Sequence, residues 1–249
     1  MLDRASTLEI LRDGEIDVVG RILGSSNNAL LVTVTLPCPD PGEPPRVLEA
    51  IHKPRIGERP LDDFPDGTLS RREVAAYLVS EASGWDVVPP TVLRDGPFGE
   101  GMLQQWIDVD PEADVIEMVN GDDARLRRVA TFDAVVNNTD RKAGHLLPIV
   151  GGHLHAVDHG VTFSVVPKLR TVLWAWQDAP FAADELAGLT RVRDALGAAD
   201  APGALAVALA ELLSAREIEA TRARVGELLA SGTFPGPSPE WPAIPWPPY

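Results

Sequence analysis

The chain is short of cysteine, lysine, basic charge and long apolar runs, and each shortage narrows what it can be. Cys38 is the one cysteine among 249 residues, so no disulfide can form within the chain. A reducing, cytoplasmic setting is the default expectation. No stretch of roughly eighteen consecutive apolar residues occurs, which argues against a membrane-spanning helix. The opening MLDRASTLEILRDGE is charged throughout and has no apolar h-region, unlike a secretory signal. Lys and Arg total 22 against 37 Asp and Glu, a formal net charge of -15. A nucleic-acid binder shows the opposite balance, and anionic membranes repel such a chain. With no amphipathic basic helix and no lipidation motif, neither a nucleic-acid partner nor stable membrane association is expected.

Lysine is the scarcest charge: Lys53, Lys142 and Lys168 are the only ones, and every other basic residue is arginine. That bias suits a GC-rich, bacterial coding sequence. A lysine that persists under it points to a position where a compact ammonium serves better than a broad guanidinium fork. All three stand beside the motifs described next. The segment from Arg125 to Arg170 is also locally basic, with seven Lys/Arg against Asp133, Asp140 and Asp158. Such a segment in an acidic protein suits a small anion, or is ordinary surface variation.

An apolar content of 45% suffices for one packed domain or a two-lobed unit. Val18 to Leu23 and Ala29 to Leu36 read as strands around the turn-forming Gly24-Ser25-Ser26-Asn27-Asn28. Val47 to Lys53 reads as a third strand. Ser70 to Ser83 reads as a helix, opened by Ser70-Arg71-Arg72-Glu73 as a capping box and closed by Gly84. Val87 to Leu93 and Met102 to Ile107 read as two more strands around a turn from Asp95 to Gly101. Helices dominate after Asp110. Ala124 to Val136 is one, and two or three Ala/Leu-rich helices fill 181 to 231. Short strands at 146–150 and 153–157 flank Gly151-Gly152. The tail from Phe234 to Tyr249 has seven prolines, which exclude regular structure, and two tryptophans that favour packing.

Two acidic motifs carry the chemistry: Asn138-Thr139-Asp140-Arg141, and Val157-Asp158-His159-Gly160 at the end of a short strand. Singly, each reads more readily as a turn. Together they resemble the catalytic core of the phosphatidylinositol 3-/4-kinase-like superfamily, and type II phosphatidylinositol 4-kinases in particular. The match is tight over about thirty residues and loose over 14 to 175. Lys168-Leu-Arg-Thr-Val-Leu-Trp174 is also similar to an uncharacterised bacterial branch of that group.

The resemblance implies an α+β, bilobal protein-kinase-like fold. Residues 14–107 would form a β-rich N-lobe, 108–233 a mostly helical C-lobe, and 234–249 the Pro/Trp-rich tail. It implies ATP with Mg or Mn as cofactors and leaves the acceptor open; the net charge of -15 and the lack of a membrane-binding motif favour a protein or small molecule over lipid. Phosphoryl transfer needs positioned phosphates, divalent metal and an oriented acceptor. Asp158 would hold the metal, Asp140 would orient or deprotonate the acceptor, and Arg141 and Lys142 would balance phosphate charge. Lys53 would meet the phosphates, with Glu73 as its partner and Glu81 as the alternative. Gly24, Ser25 and Ser26 would close over the phosphates, and Gln105 and Trp106 would stand at the adenine. The family's metal-binding Asn falls here on His145, a ligand better suited to Mn or Zn than to Mg. That departure keeps a second reading open, a nucleotide-binding sensor or scaffold without transfer. His153, His155 and His159 could together hold zinc, although His153 and His155 are more simply one exposed strand face.

Overall fold

A computed structural model describes residues 2–22, 28–38 and 42–249. The expected turn residues Gly24, Ser25 and Ser26 lie outside them. The chain divides into two units, Met1–Val74 with Pro89–Ile107, and Ala75–Val88 with Asp108–Tyr249. The first is built on an antiparallel sheet and the second is mostly helical, so the α+β class expected from the sequence holds.

In the first unit, β1 (Glu15–Arg21), β2 (Leu30–Leu36), β3 (Arg46–Pro54), β4 (Thr91–Gly96) and β5 (Gly99–Gln105) form one sheet in the order β1-β2-β3-β5-β4. Its strands are rich in Val, Leu and Thr, which suit a pleated, half-buried surface. A helix that the sequence reading did not contain, α1 (Arg4–Asp13), covers one face. The Asp3 side chain accepts from the Ser6 N–H at 2.7 Å and starts the helix. Ile10 and Leu11 are then fully buried with Val32, Val34, Ala50, Val92 and Leu103. Four charged residues among ten, Arg4, Glu9, Arg12 and Asp13, disguise this short apolar stripe.

On β3, Ala50 and His52 are buried on one face, and the alternation places Ile51 and Lys53 on the other. Lys53 pairs in register with Met102, and Pro54 with Gly101. A Cβ on Gly101 would stand 2.5 Å from the Lys53 carbonyl oxygen, so only glycine lets β5 lie this close beside Lys53. The β4–β5 turn is tighter than expected. Gly96 pairs with Gly99, so both strands run on into the segment read as turn.

His52 is a buried imidazole whose Nδ1 lies 3.0 Å from the Met102 carbonyl. Burial pushes its pKa down, aided by Arg94 and partly offset by the Met102 hydrogen bond. The unfolded chain therefore takes up this proton more readily than the folded one. Stability should fall as pH drops below about 6.5, the ordinary histidine value. His52→Gln should flatten that part of the curve, read as urea midpoint against pH.

α2 (Leu69–Ser83) crosses from one unit to the other. Its start corrects the expected capping box. Ser70 lies inside the helix, and the cap is the Glu58 carboxylate, which accepts from the N–H groups of Leu69 and Ser70 at 3.0 and 2.8 Å and from the Ser70 hydroxyl at 2.6 Å. A carboxylate on the orphan N–H groups of a first turn also matches the helix dipole.

In the second unit, α3 (Val115–Asn120) and α4 (Arg125–Val136) lead to a hairpin of β6 (Leu146–Pro148) and β7 (Leu154–Ala156). Gly151 and Gly152 have φ of 100° and 91°, which the turn between these strands requires. α5 (Ala183–Leu196), α6 (Ala204–Leu209) and α7 (Ala215–Ser231) complete the unit around Leu189, Val192, Leu196, Leu209 and Val225. Ser214 and Glu217 make a reciprocal capping box at the start of α7. The tail has no helix or strand, yet it docks. The Ala243 carbonyl accepts from Thr171 N–H at 3.1 Å and Trp174 Nε1 at 3.0 Å, and the Pro248 carbonyl from Ala143 N–H at 2.9 Å. No helix among the described residues is long and apolar enough to cross a membrane.

Candidate active site

In the first unit, Lys53 Nζ donates to Glu73 Oε1 at 2.5 Å. The Glu73 side chain is 2% exposed and that of Lys53 16%. A carboxylate this deep needs a cation beside it, and Glu73 rather than Glu81 fills the place. Beyond it, Gln105 N–H donates to the Pro90 carbonyl and Trp106 N–H to the Glu49 carbonyl, each at 2.9 Å. These two donors are therefore engaged within the sheet unit and not directed at a base.

The second unit is organised by a residue that sequence reasoning left without a role. Asp133 sits on the apolar face of α4 with its side chain fully buried. The Arg141 guanidinium, also fully buried, grips it with Nε–Oδ2 and Nη2–Oδ1 contacts of 2.9 Å each. Arg141 Nη1 donates to the Val157 carbonyl at 2.7 Å, and Nη2 lies 2.6 Å from His159 Nε2. A guanidinium has no lone pair to offer, so His159 Nε2 accepts and the imidazole is neutral. Phe132 meets the His159 ring edge-on at 5.3 Å. The expectation that Arg141 balances phosphate charge is therefore corrected. Its donors are spent inside the protein, where it fastens the Asp140 loop to the strand that delivers Asp158. An acid at position 133, in line with Leu126, Val129 and Ala130, was the signal that a buried cation had to follow.

The loop between these anchors is held residue by residue. α4 ends at Asn137 in the left-handed region, φ 51° and ψ 56°, which asparagine tolerates better than most residues. Its amide donates to the Ser164 and Val166 carbonyls, and its oxygen accepts from Lys168 N–H. Asn138 donates to Asp133 Oδ1 at 2.9 Å and accepts from Asp140 N–H at 3.0 Å. Thr139 donates twice to the Val161 carbonyl, through N–H and hydroxyl. That bond ties the loop to the turn after Asp158.

Asp140 is left half-buried, with Lys142 Nζ 3.1 Å from Oδ2. Burial pushes its carboxyl above the ordinary range. Lys142 partly offsets this, and the Asp158 carboxylate adds like-charge repulsion. Asp158 itself has φ 62°, a left-handed backbone unusual for a residue other than glycine. His145 Nε2 approaches Asp158 Oδ2 at 3.3 Å. Backbone pairing fixes this approach, since Val157 N–H donates to the His145 carbonyl at 2.9 Å. Imidazole and carboxylate are thus placed where one divalent ion could take both.

Of the residues singled out from the sequence, the structure joins Lys53 with Glu73, Asp140 with Lys142, and His145 with Asp158. His159 departs from the proposed histidine group and serves Arg141 instead. His153 and His155 stand together, with ring centroids 4.4 Å apart, beside Asp86.

No protein-family model matches the chain. Protein Rv2133c of Mycobacterium tuberculosis (strain ATCC 25618 / H37Rv) is 42% identical, over 96% of this chain and 94% of that protein. Among solved structures, the Helicobacter pylori proinflammatory kinase CtkA is similar with a TM-score of 0.51, covering 90% of this chain and 94% of that one. At 12% identity that likeness concerns fold alone. The chain belongs to the family of the mycobacterial protein Rv2133c, and its fold is kinase-like.

Proposed function

We propose that the protein is a metal-dependent phosphotransferase that uses ATP and acts on a protein or small-molecule acceptor in the cytoplasm. The observation that carries this reading is the pairing of two differently placed carboxylates. Asp140 is half-buried with its pKa raised, and Asp158 on its strained turn lies close enough to contribute to that shift. Two carboxylates whose surroundings differ can divide the work of proton acceptor and metal ligand. The phosphatidylinositol 3-/4-kinase-like motifs support the same division of labour.

A divalent ion on Asp158 and His145 would neutralise charge on the transferred phosphoryl group. The residues do the rest. Asp140 accepts or orients the proton of the acceptor hydroxyl, and its raised pKa makes it a stronger base than an ordinary aspartate. Lys142 steadies Asp140 from the loop. In the first unit Lys53, held by Glu73, offers a point charge suited to nucleotide phosphate.

His145 favours a second reading. An imidazole in place of an amide oxygen lowers the fitness of the site for Mg, as in a nucleotide-binding sensor that transfers nothing. Two measurements separate the readings. ATP with Mn should raise the melting temperature by mass action, and Lys53→Ala and Asp158→Asn should each reduce the rise. A shift without ATP turnover under either metal selects the sensor. No shift at saturating nucleotide and metal removes both readings.

A further inference from the structure

We propose that Asp86, His153 and His155 form a binding site for a divalent transition-metal ion, sharing no residue with the Asp140, His145 and Asp158 group. One ligand atom from each of the three lies within 4.8 Å of the other two. His153 Nε2 is 3.7 Å from Asp86 Oδ2 and donates to the Asp86 carbonyl oxygen at 2.8 Å, a bond it gives up where this nitrogen takes the ion. Ligands on a tetrahedral ion stand about 3.4 Å apart, given metal–ligand bonds of about 2.1 Å. Closing the set therefore asks at most about 1.4 Å of approach, which the partly exposed His153 and Asp86 side chains can supply.

The backbone already holds the three in place. His153 precedes β7 and His155 is central in it, and an i, i+2 pair on an extended chain shares one face. Val87, next to Asp86, accepts from Ala156 N–H at 2.8 Å, next to His155. That bond sets the two segments side by side. Asp86 has φ 56°, a left-handed conformation held beside the two imidazoles.

Burial divides the site in the way an ion would use. His155 is 8% exposed, while the His153 and Asp86 side chains are 34% and 41% exposed. A cavity of about 340 Å³ opens at His153, lined also by Trp85, Val87, Arg127 and Glu185, and offers an entry path. Two imidazoles and one carboxylate suit Zn, Co or Ni rather than Mg or Ca. Three protein ligands leave a fourth position for water on the open side. The ion would clip the segment after α2 to β7, whose chain continues into Asp158.

The test uses the full chain after chelator treatment. Zn is titrated by calorimetry, and Co is followed by its visible absorption. One ion per chain should bind tightly, with the intense absorption of a tetrahedral site, because the His145 and Asp158 pair offers only two ligands in the absence of nucleotide, and Zn should raise the melting temperature. His155→Gln and His153→Gln should abolish the Co spectrum. Asp86→Asn, which keeps a residue tolerant of the left-handed backbone, should weaken Zn binding by at least about tenfold. Asp158→Asn should leave both signals unchanged. If His155→Gln fails to fold, the half-exposed His153 and Asp86 variants decide alone. Zn affinity unaltered in those two, or lost in Asp158→Asn, overturns the proposal.

Discussion

Asp133→Ala should cost about 3–5 kcal/mol of folding stability, because it leaves the Arg141 guanidinium charged, buried and unanswered. Both side chains are fully buried, and Asp133 also accepts from Asn138. The substitution therefore strips partners from two groups at once. Urea denaturation should show a large fall in midpoint. The double variant Asp133→Leu with Arg141→Met should recover part of that stability, since apolar residues of similar volume often replace a buried ion pair without net loss, while Asn138, the Val157 carbonyl and His159 stay without their partners. Nucleotide turnover should not recover, because the Val157 carbonyl and His159 lose the donor that fixes the Asp140 loop to the Asp158 strand. A double variant that regained both properties would show that the pair serves stability alone.

Asp140→Asn should separate chemistry from folding in the opposite direction. Turnover should drop by about 10²- to 10⁴-fold, the usual worth of a positioned general base. Nucleotide binding should persist. The folded-state pKa of Asp140 is raised, so between the ordinary aspartate value of about 3.9 and that raised value the folded state holds more protons than the unfolded one. Stability contributed by the protonated form is lost as pH rises through that window. At neutral pH the charged carboxylate is a burden on the fold, and the neutral amide of the variant removes it. The variant should melt slightly higher than the parent at neutral pH. The difference should disappear once the solution is acid enough to protonate Asp140 in both states. A lower melting temperature at neutral pH would mean that the Lys142 pairing outweighs burial.

Much of the fold was legible because its signals are local. Strands β2 and β3 and helices α2 and α4 follow from runs and stripes in their own residues. What escaped depends on partners far along the chain. Ser70 and Glu73 have the spacing of a capping box, yet Glu58, distant in sequence, supplies the cap and leaves Glu73 to Lys53, the partner the resemblance implied. The α1 stripe is two apolar residues wide, and charge on its outer face hides it. In the site, Asp140 and Asp158 stood out through their motifs. Arg141 was read as a phosphate contact because its motif says nothing of depth. Only the buried acid eight residues upstream decides its role. Asp86 escaped for the same reason, since nothing near it in sequence announces two histidines at its side.

The docked tail has a consequence for the order in which the site comes into being during synthesis. Domains acquire structure from the N-terminal side as the chain emerges. The Asp133–Arg141 clasp closes between residues made almost together. Ala143 and Thr171, which flank the finished loop, must wait for the Pro248 and Ala243 carbonyls, from a segment translated long afterwards. Throughout that interval the nascent chain carries Asp140 on a loop whose outer hydrogen bonds are still made to water. The candidate site is therefore completed by the 234–249 segment, after the helix and strands that carry its side chains have emerged.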